Sequence, residues 1–325
     1  MDSGKAATAP ETVPTGVEGL DDLLGGLRVG DNVVWETDSG GATEVFLRAF
    51  LQSARDVGHR VVFVSFDFSP HTVLTEIAAV QPLPEFILLD CFTAGKGEGD
   101  PVFADFYANH ERHNGARVVK VESPASPEMV QNALAAVQRH GPHTDRYIFD
   151  SLTGMLELWG EEAQVLRFFA HTCPKLYDLR TIAYWMLEKQ AHTASFLASL
   201  KHITQVVIEL CVGEGREQLV VRKAAGRRAA IGVAHEFRLR NGRPEFPTEL
   251  SEEQGEEEII ARLGARIRRL RGQSGLSQAK LARLTGLSPS AISQMENGAI
   301  TPSLRVLVRL SRALQVSVDT LLTGD

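Results

Sequence analysis

The chain has 325 residues, is 43% hydrophobic and 23% charged, and carries a formal net charge of −7. That length supports two domains, one with a large core, and that composition excludes a disordered, collagen-like or disulfide-stapled chain. No run of about 20 apolar residues is present, which excludes a helical membrane span, and the first residues lack the apolar core of a secretory signal.

Residues 1–14, MDSGKAATAPETVP, are small and polar and are expected to form a disordered lead-in. An apolar strand then ends at Trp35, and a glycine-rich turn leads into the helical pattern of residues 43–58. HRVVFVSFDF and EFILLDCF are continuous β-branched and aromatic runs, the mark of strands buried on both faces. GKGEGD, at 95–100, reads as an exposed loop. SPEMVQNALAAVQRHG reads as a helix capped by Ser126, followed by a strand in RYIFDSL, a helix in VLRFFAHTCPKLYDL, and strands in TIAYWML and TQVVIELCV. Such alternation predicts an α/β domain around a mostly parallel sheet. QLVVRKAAGRR and HEFRLRNGRPEF are expected to be antiparallel edge strands closing that sheet. Cys91, Cys173 and Cys211 are scattered, with no C-x-x-C, and read as reduced thiols with no metal site.

Charge divides the chain unevenly. Residues 259–325 hold ten Lys/Arg and three Asp/Glu, a balance of +7, so the remaining residues balance at −14. An acidic body with a basic tail suits nucleic acid at one end only. The acidic run SEEQGEEE, 251–258, reads as a linker or a solvated first helical turn. The expected division is a body over 15–248, a linker over 249–258 and a helical domain over 259–325.

The body's opening, TG-x-x-GLD-x-LL-GG-L-x-x-G, together with GHRVVFVSFDFSP and RYIFDSLTGML, resembles the RecA-type ATPases of the KaiC family. The resemblance implies a RecA-like parallel sheet flanked by helices, and an ancestral phosphate-binding loop at residues 36–43, ETDSGGAT. An active loop is G-x-x-x-x-G-K-[ST], whose lysine reaches the β- and γ-phosphates. Here Glu36 replaces the first glycine and Ala42 the lysine, Asp38 adds negative charge, and Gly40, Gly41 and Thr43 are what is left. Family members carry two adjacent acids after the next strand; here they align with Asp67 and Phe68, so the second is lost. Asp150 keeps the position of the magnesium-orienting aspartate. Phosphoryl transfer depends on positioning and charge stabilisation, so the expectation is no ATPase and no required cofactor, with Gly40, Gly41, Ala42, Thr43, Asp67 and Asp150 as a vestigial site. The alternative is a nucleotide-dependent switch.

The C-terminal region reads as five short amphipathic helices. Ser277 and Ser288 stand at cap positions, Pro289 at a first helical position, and Gly286 at the intervening turn. Leu281, Ala282, Leu287, Ile292 and Met295 fall where two crossing helices must meet. LSQ-x-x-LA followed by GLS-x-x-x-IS-x-x-ENG resembles the helix-turn-helix of Cro and the phage repressors. That resemblance implies double-stranded DNA as partner and a recognition helix from Ser288 to Asn297. Pro289, Ser290, Ser293 and Gln294 match base-facing positions, Gln278 and Asn297 match phosphate-contacting ones, and Arg271 and Glu296 match a buried scaffolding ion pair. With no Arg or Lys in that helix, Arg266, Arg268, Arg269, Lys280 and Arg305 are candidates for further phosphate contacts. The expected function is a cytoplasmic, nucleoid-associated transcriptional regulator. It would assemble as a dimer or hexamer through the body, which would also receive a ligand or signalling protein.

Overall fold

The structure is a computed structural model describing residues 11–38, 43–80, 82–108, 115–139, 144–213, 216–247 and 252–322. The chain divides into two compact units, Met1–Phe246 and Pro247–Asp325. In order, the first contains β1 (Thr12–Val13), α1 (Glu18–Leu24), β2 (Leu27–Arg28), β3 (Asn32–Thr37), α2 (Thr43–Val57), β4 (Val61–Ser65) and α3 (Pro70–Ile77). It continues with β5 (Phe86–Asp90), α4 (Pro101–Ala108), β6 (Ala116–Lys120), α5 (Pro127–Val137), β7 (Arg146–Asp150), α6 (Leu152–Trp159), α7 (Glu162–Asp178) and β8 (Ile182–Glu188). It closes with α8 (Ala194–Ile203), β9 (Val206–Gly213), β10 (Arg216–Ala224), β11 (Ala234–Glu236), β12 (Arg238–Arg240) and β13 (Arg243–Glu245). The second unit holds α9 (Glu252–Gln273), α10 (Gln278–Thr285), α11 (Pro289–Glu296), α12 (Leu304–Leu314) and α13 (Val318–Leu322).

The apolar runs become a nine-stranded sheet in the order β11-β10-β9-β3-β8-β7-β4-β5-β6. The strands from β9 to β6 in that order are parallel; β10 and β11 add on antiparallel. Successive residues of each strand point to opposite faces, so each run feeds two cores. Val33 and Trp35 of β3 join one core with α2 and α3, and Val34 joins the other with α5, α6 and α7. Trp185 stacks on Phe149 across the second face at 3.6 Å between centroids.

At the strand starts, the chain buries charge. Arg60 donates from Nε to Asp145 Oδ1 at 3.1 Å and from a second nitrogen to Oδ2, joining the beginnings of β4 and β7. Arg146 is fully buried and donates to the carbonyl of Phe50 at 2.9 Å, to Ser53 Oγ at 3.0 Å and to the carbonyl of Pro14 at 3.3 Å.

Four expectations are corrected. Residues 11–14 do not behave as a disordered lead-in: β1 pairs with β2, Val13 is buried, and Pro14 is bound by Arg146. Residues 1–10 lie outside the described residues. The acidic stretch 252–258 is the first part of α9, so its helical alternative holds and the linker over 249–258 does not extend through it, since Glu and Gln are good helix formers. In HEFRLRNGRPEF only β11 joins the sheet; β12 and β13 form a separate hairpin with a two-residue turn. The 95–100 loop is only partly exposed, with Gly97 buried and Lys96 half-buried. Among the described residues no helix is long and apolar enough to cross a membrane.

Removing one partner of the Arg60–Asp145 pair leaves a buried charge unmatched, so Asp145→Asn is expected to destabilise the first unit by about 3 kcal/mol. The low end of the usual range applies because Glu85 stands 3.9 Å from Arg60. Urea unfolding of the two proteins measures the difference.

Candidate nucleic-acid interface and the altered nucleotide site

In the second unit, the starts of α10 and α11 are each set by a side chain that satisfies an orphan amide. Ser277 Oγ accepts from Lys280 N at 3.2 Å, and Ser288 Oγ accepts from Ala291 N at 3.1 Å, with Pro289 at the first helical position. Gly286 closes α10 in the left-handed conformation, φ +68°. Gly264 of α9 is a close-approach position: a Cβ there would lie 2.3 Å from the carbonyl of Met295. Leu281, Ala282, Ile292 and Met295 are buried together with Leu263, Ile267 and Leu310, and Leu287 packs against them.

One carboxylate ties three helices. Glu296, at the end of α11 and almost wholly buried, accepts from Arg271 Nε at 2.5 Å and Nη2 at 3.0 Å. It also accepts from Gln278 Nε2 at 2.8 Å. Burial alone would raise the Glu296 carboxyl, but the hydrogen bonds from Arg271 and Gln278 outweigh it and hold the group below the usual range. Gln278, matched to a phosphate-contacting position, therefore also serves the scaffold.

The rest of the expected interface lies at the surface. Ser288, Pro289, Ser290, Gln294 and Asn297 are exposed and Ser293 is half-buried, all on or beside α11. Lys280, Arg268, Arg269 and Arg305 are exposed. Arg266 differs: its guanidinium donates to the carbonyl of Leu321 at 2.9 Å and fastens α9 to α13.

In the first unit, several charged residues at the carboxyl ends of the strands pair within the chain. Ser39, Gly40, Gly41 and Ala42 lie outside the described residues; Thr43 opens α2. Glu36 is fully buried at the end of β3, with Lys201 Nζ 3.0 Å from Oε2 as an ion pair without hydrogen-bond alignment. Burial raises its carboxyl, and Lys201 offsets this only in part. Glu209, its register partner on β9, accepts from both Lys189 and Arg222. Burial opposes ionisation of Glu209, but those hydrogen bonds prevail and its carboxyl is held low.

Asp67 is committed as well. It accepts from Lys96 Nζ at 2.7 Å and from Ser151 Oγ at 2.6 Å, and Lys96 also donates to Glu157. Gly154 permits this, because a Cβ there would stand 2.3 Å from Asp67 Oδ1. Asp150 ends β7. Burial and then the charge of Asp67 push its carboxyl up to about 7, against the opposing ammonium of Lys96. Phe68, at the position of the family's second acid, is about half exposed beside an apolar cavity of about 150 Å³ between α2 and α3. Among the described residues, one acid of the RecA-type positions is engaged by an internal ammonium, and a buried carboxylate stands at the end of β3. Lys96 carried no motif in the sequence; only the fold brings it to Asp67, 29 positions away.

Residues 267–321 match the family described as Helix-turn-helix. The second unit is a helix-turn-helix domain. Over 63 residues, the chain is 44% identical to Repressor protein C2 of Salmonella phage P22, a match covering 19% of this chain and 29% of that relative. The chain thus spans under a third of the curated relative it matches. The first unit has the fold of RecA-like proteins: a KaiC-like protein from the hyperthermophilic archaeon Pyrococcus horikoshii OT3 superposes with a TM-score of 0.51 at 16% identity. That likeness covers 74% of this chain and 100% of the archaeal one.

Glu296→Gln is expected to lower the stability of the helix-turn-helix domain by about 3 kcal/mol, because Arg271 loses its counter-charge in a mostly buried site. In the native protein the same interaction is complete above the ordinary carboxyl value of 4.5 and is lost as pH falls through the depressed folded value. Hydrogen exchange of α10 and α11 as a function of pH follows both effects.

Proposed function

We propose that the chain is a sequence-specific DNA-binding transcriptional regulator, with α11 entering the major groove and the RecA-like unit kept for assembly and signal input. The observation that carries this reading is the serine-capped α10–α11 pair, locked by Glu296, with its polar outer face exposed, in a stretch that matches the helix-turn-helix family, beside 44% identity over 63 residues to a phage repressor. Helix N-termini and exposed cations on neighbouring helices suit phosphate contacts. Gln294 can pair bidentately with adenine, while Ser290 and Ser293 discriminate less. Pro289 and Asn297 would flank those contacts. One such unit buries little DNA surface, so affinity calls for two copies on half-sites about one helical turn apart. Self-association through the RecA-like unit would supply them, and a ligand or signalling protein bound there would regulate them. A cytoplasmic location follows from that role.

The proposal that the RecA-like unit does not hydrolyse ATP is supported by Ala42 in the lysine position, buried Glu36 at the loop entry, and Lys96 on Asp67. Loss of one key electrostatic contact lowers phosphoryl or acyl transfer by roughly 10²–10³-fold, and this chain lacks two. The retained Asp150 and Thr43 are what a nucleotide-dependent switch would still use.

Two measurements test these readings. In a binding-site selection, Gln294→Ala and Ser290→Ala are expected to relax base preference without loss of fold; an unchanged motif in both would remove α11 as the reading element. In a thermal-shift assay, millimolar ATP with Mg²⁺ is expected to leave the unfolding temperature unmoved. A ligand at 100 times its dissociation constant would instead add about 2.7 kcal/mol, and such a shift would favour the switch.

A further inference from the structure

The β12–β13 hairpin breaks a local rule. Arg240 and Arg243 face each other directly across the pair, and Arg238 shares their face two residues back. Like charges opposite one another destabilise a hairpin. All three are exposed; Glu245 stands across from Arg238 in register and comes within 3.7 Å of Arg240, so a single acid meets three guanidinium groups on this face. The turn between them is built for rigidity: Asn241 and Gly242 both have positive φ, +53° and +72°, the two-residue geometry that matches strand twist.

The opposite face anchors the hairpin. Pro244 is buried, and β13 packs on α2. On either side in the chain, Phe237 is buried against Phe46 at 5.2 Å and Phe246 packs on Phe237 at 5.8 Å. Gly19 is held bare for this purpose, since a Cβ would come within 2.6 Å of the Phe246 ring. A two-stranded ribbon thus presents three guanidinium groups from a fixed base, on a body whose remaining charge is strongly acidic.

We propose that this hairpin is a second DNA contact, in which Arg238, Arg240 and Arg243 bind phosphates of the duplex held by the helix-turn-helix domain. Guanidinium groups match phosphate geometry and keep their charge at any physiological pH. Repulsion among the three is relieved when a polyanion lies across them. DNA is favoured as that polyanion because its phosphates complement three clustered guanidinium groups and the same chain carries a helix-turn-helix domain. The inference rests on the DNA-binding reading above and adds a contact that reads no base.

The test uses the full-length chain and a 40-base-pair duplex carrying its selected site, titrated against salt. Replacing all three arginines (R238Q/R240Q/R243Q) is expected to lower the slope of log affinity against log salt by about 2 to 3, near 0.9 per lost phosphate contact. Affinity should fall by roughly 10- to 100-fold at 0.1 M salt while the selected sequence stays the same. The triple lysine variant should keep the wild-type slope. A glutamine variant with the wild-type slope, or one that loses affinity with no change in slope, would overturn the second contact and leave the recognition helix in place. A wild-type chain that binds no duplex would overturn both readings.

Discussion

The carboxylate of Glu296 is the constraint on which the proposed DNA-reading surface depends. It lies at the end of the recognition helix and takes hydrogen bonds from Arg271 of the first helix and Gln278 of the second. A single buried charge thereby sets the angle between three helices whose apolar contacts alone would allow sliding. The serine caps then fix where α10 and α11 begin, so that the polar residues of α11 all emerge on or beside one short helix. An apolar replacement of the ionic group could be as stable, but it would not orient Gln278 at the start of α10.

In the RecA-like unit the fold rests on residues that are separate from those at the expected nucleotide site. The sheet, with both faces buried, depends on apolar runs in β3, β4, β5, β7 and β8, and these are intact. What has changed lies at the carboxyl ends of the strands, where a RecA-type site would gather its polar groups. There the charges are satisfied within the chain: Lys96 on Asp67 and Glu157, Lys189 and Arg222 on Glu209, Lys201 near Glu36. Each ammonium or guanidinium spent on an internal carboxylate is one fewer group to meet a phosphate.

Much of the fold was legible because its signals are local. Continuous β-branched runs announced the buried strands, and Ser277, Ser288, Pro289 and Gly286 announced the helix boundaries of the C-terminal domain. What escaped the sequence is non-local or weakly patterned. The α4 helix and the edge strand β6 pass without a clear period, since α4 buries no residue fully and β6 is only partly covered. The hairpin was read as part of the sheet because RLRNGRPE has strand chemistry whichever partner it takes. Pro14 was read as disordered because nothing nearby reveals Arg146, 132 positions later, as its hydrogen-bond donor. The Lys96–Asp67 contact was invisible for the same reason, and it is the observation that most changes the reading of the altered site.

The account stands on the helix-turn-helix domain meeting DNA in the cell. Genome-wide occupancy of the tagged full-length protein, by immunoprecipitation and sequencing, is the most direct test. Discrete peaks sharing a two-fold symmetric motif, with half-sites about one helical turn apart, are predicted. Uniform or absent signal in cells that express the folded protein would contradict the account and turn attention to a protein partner for the same helices.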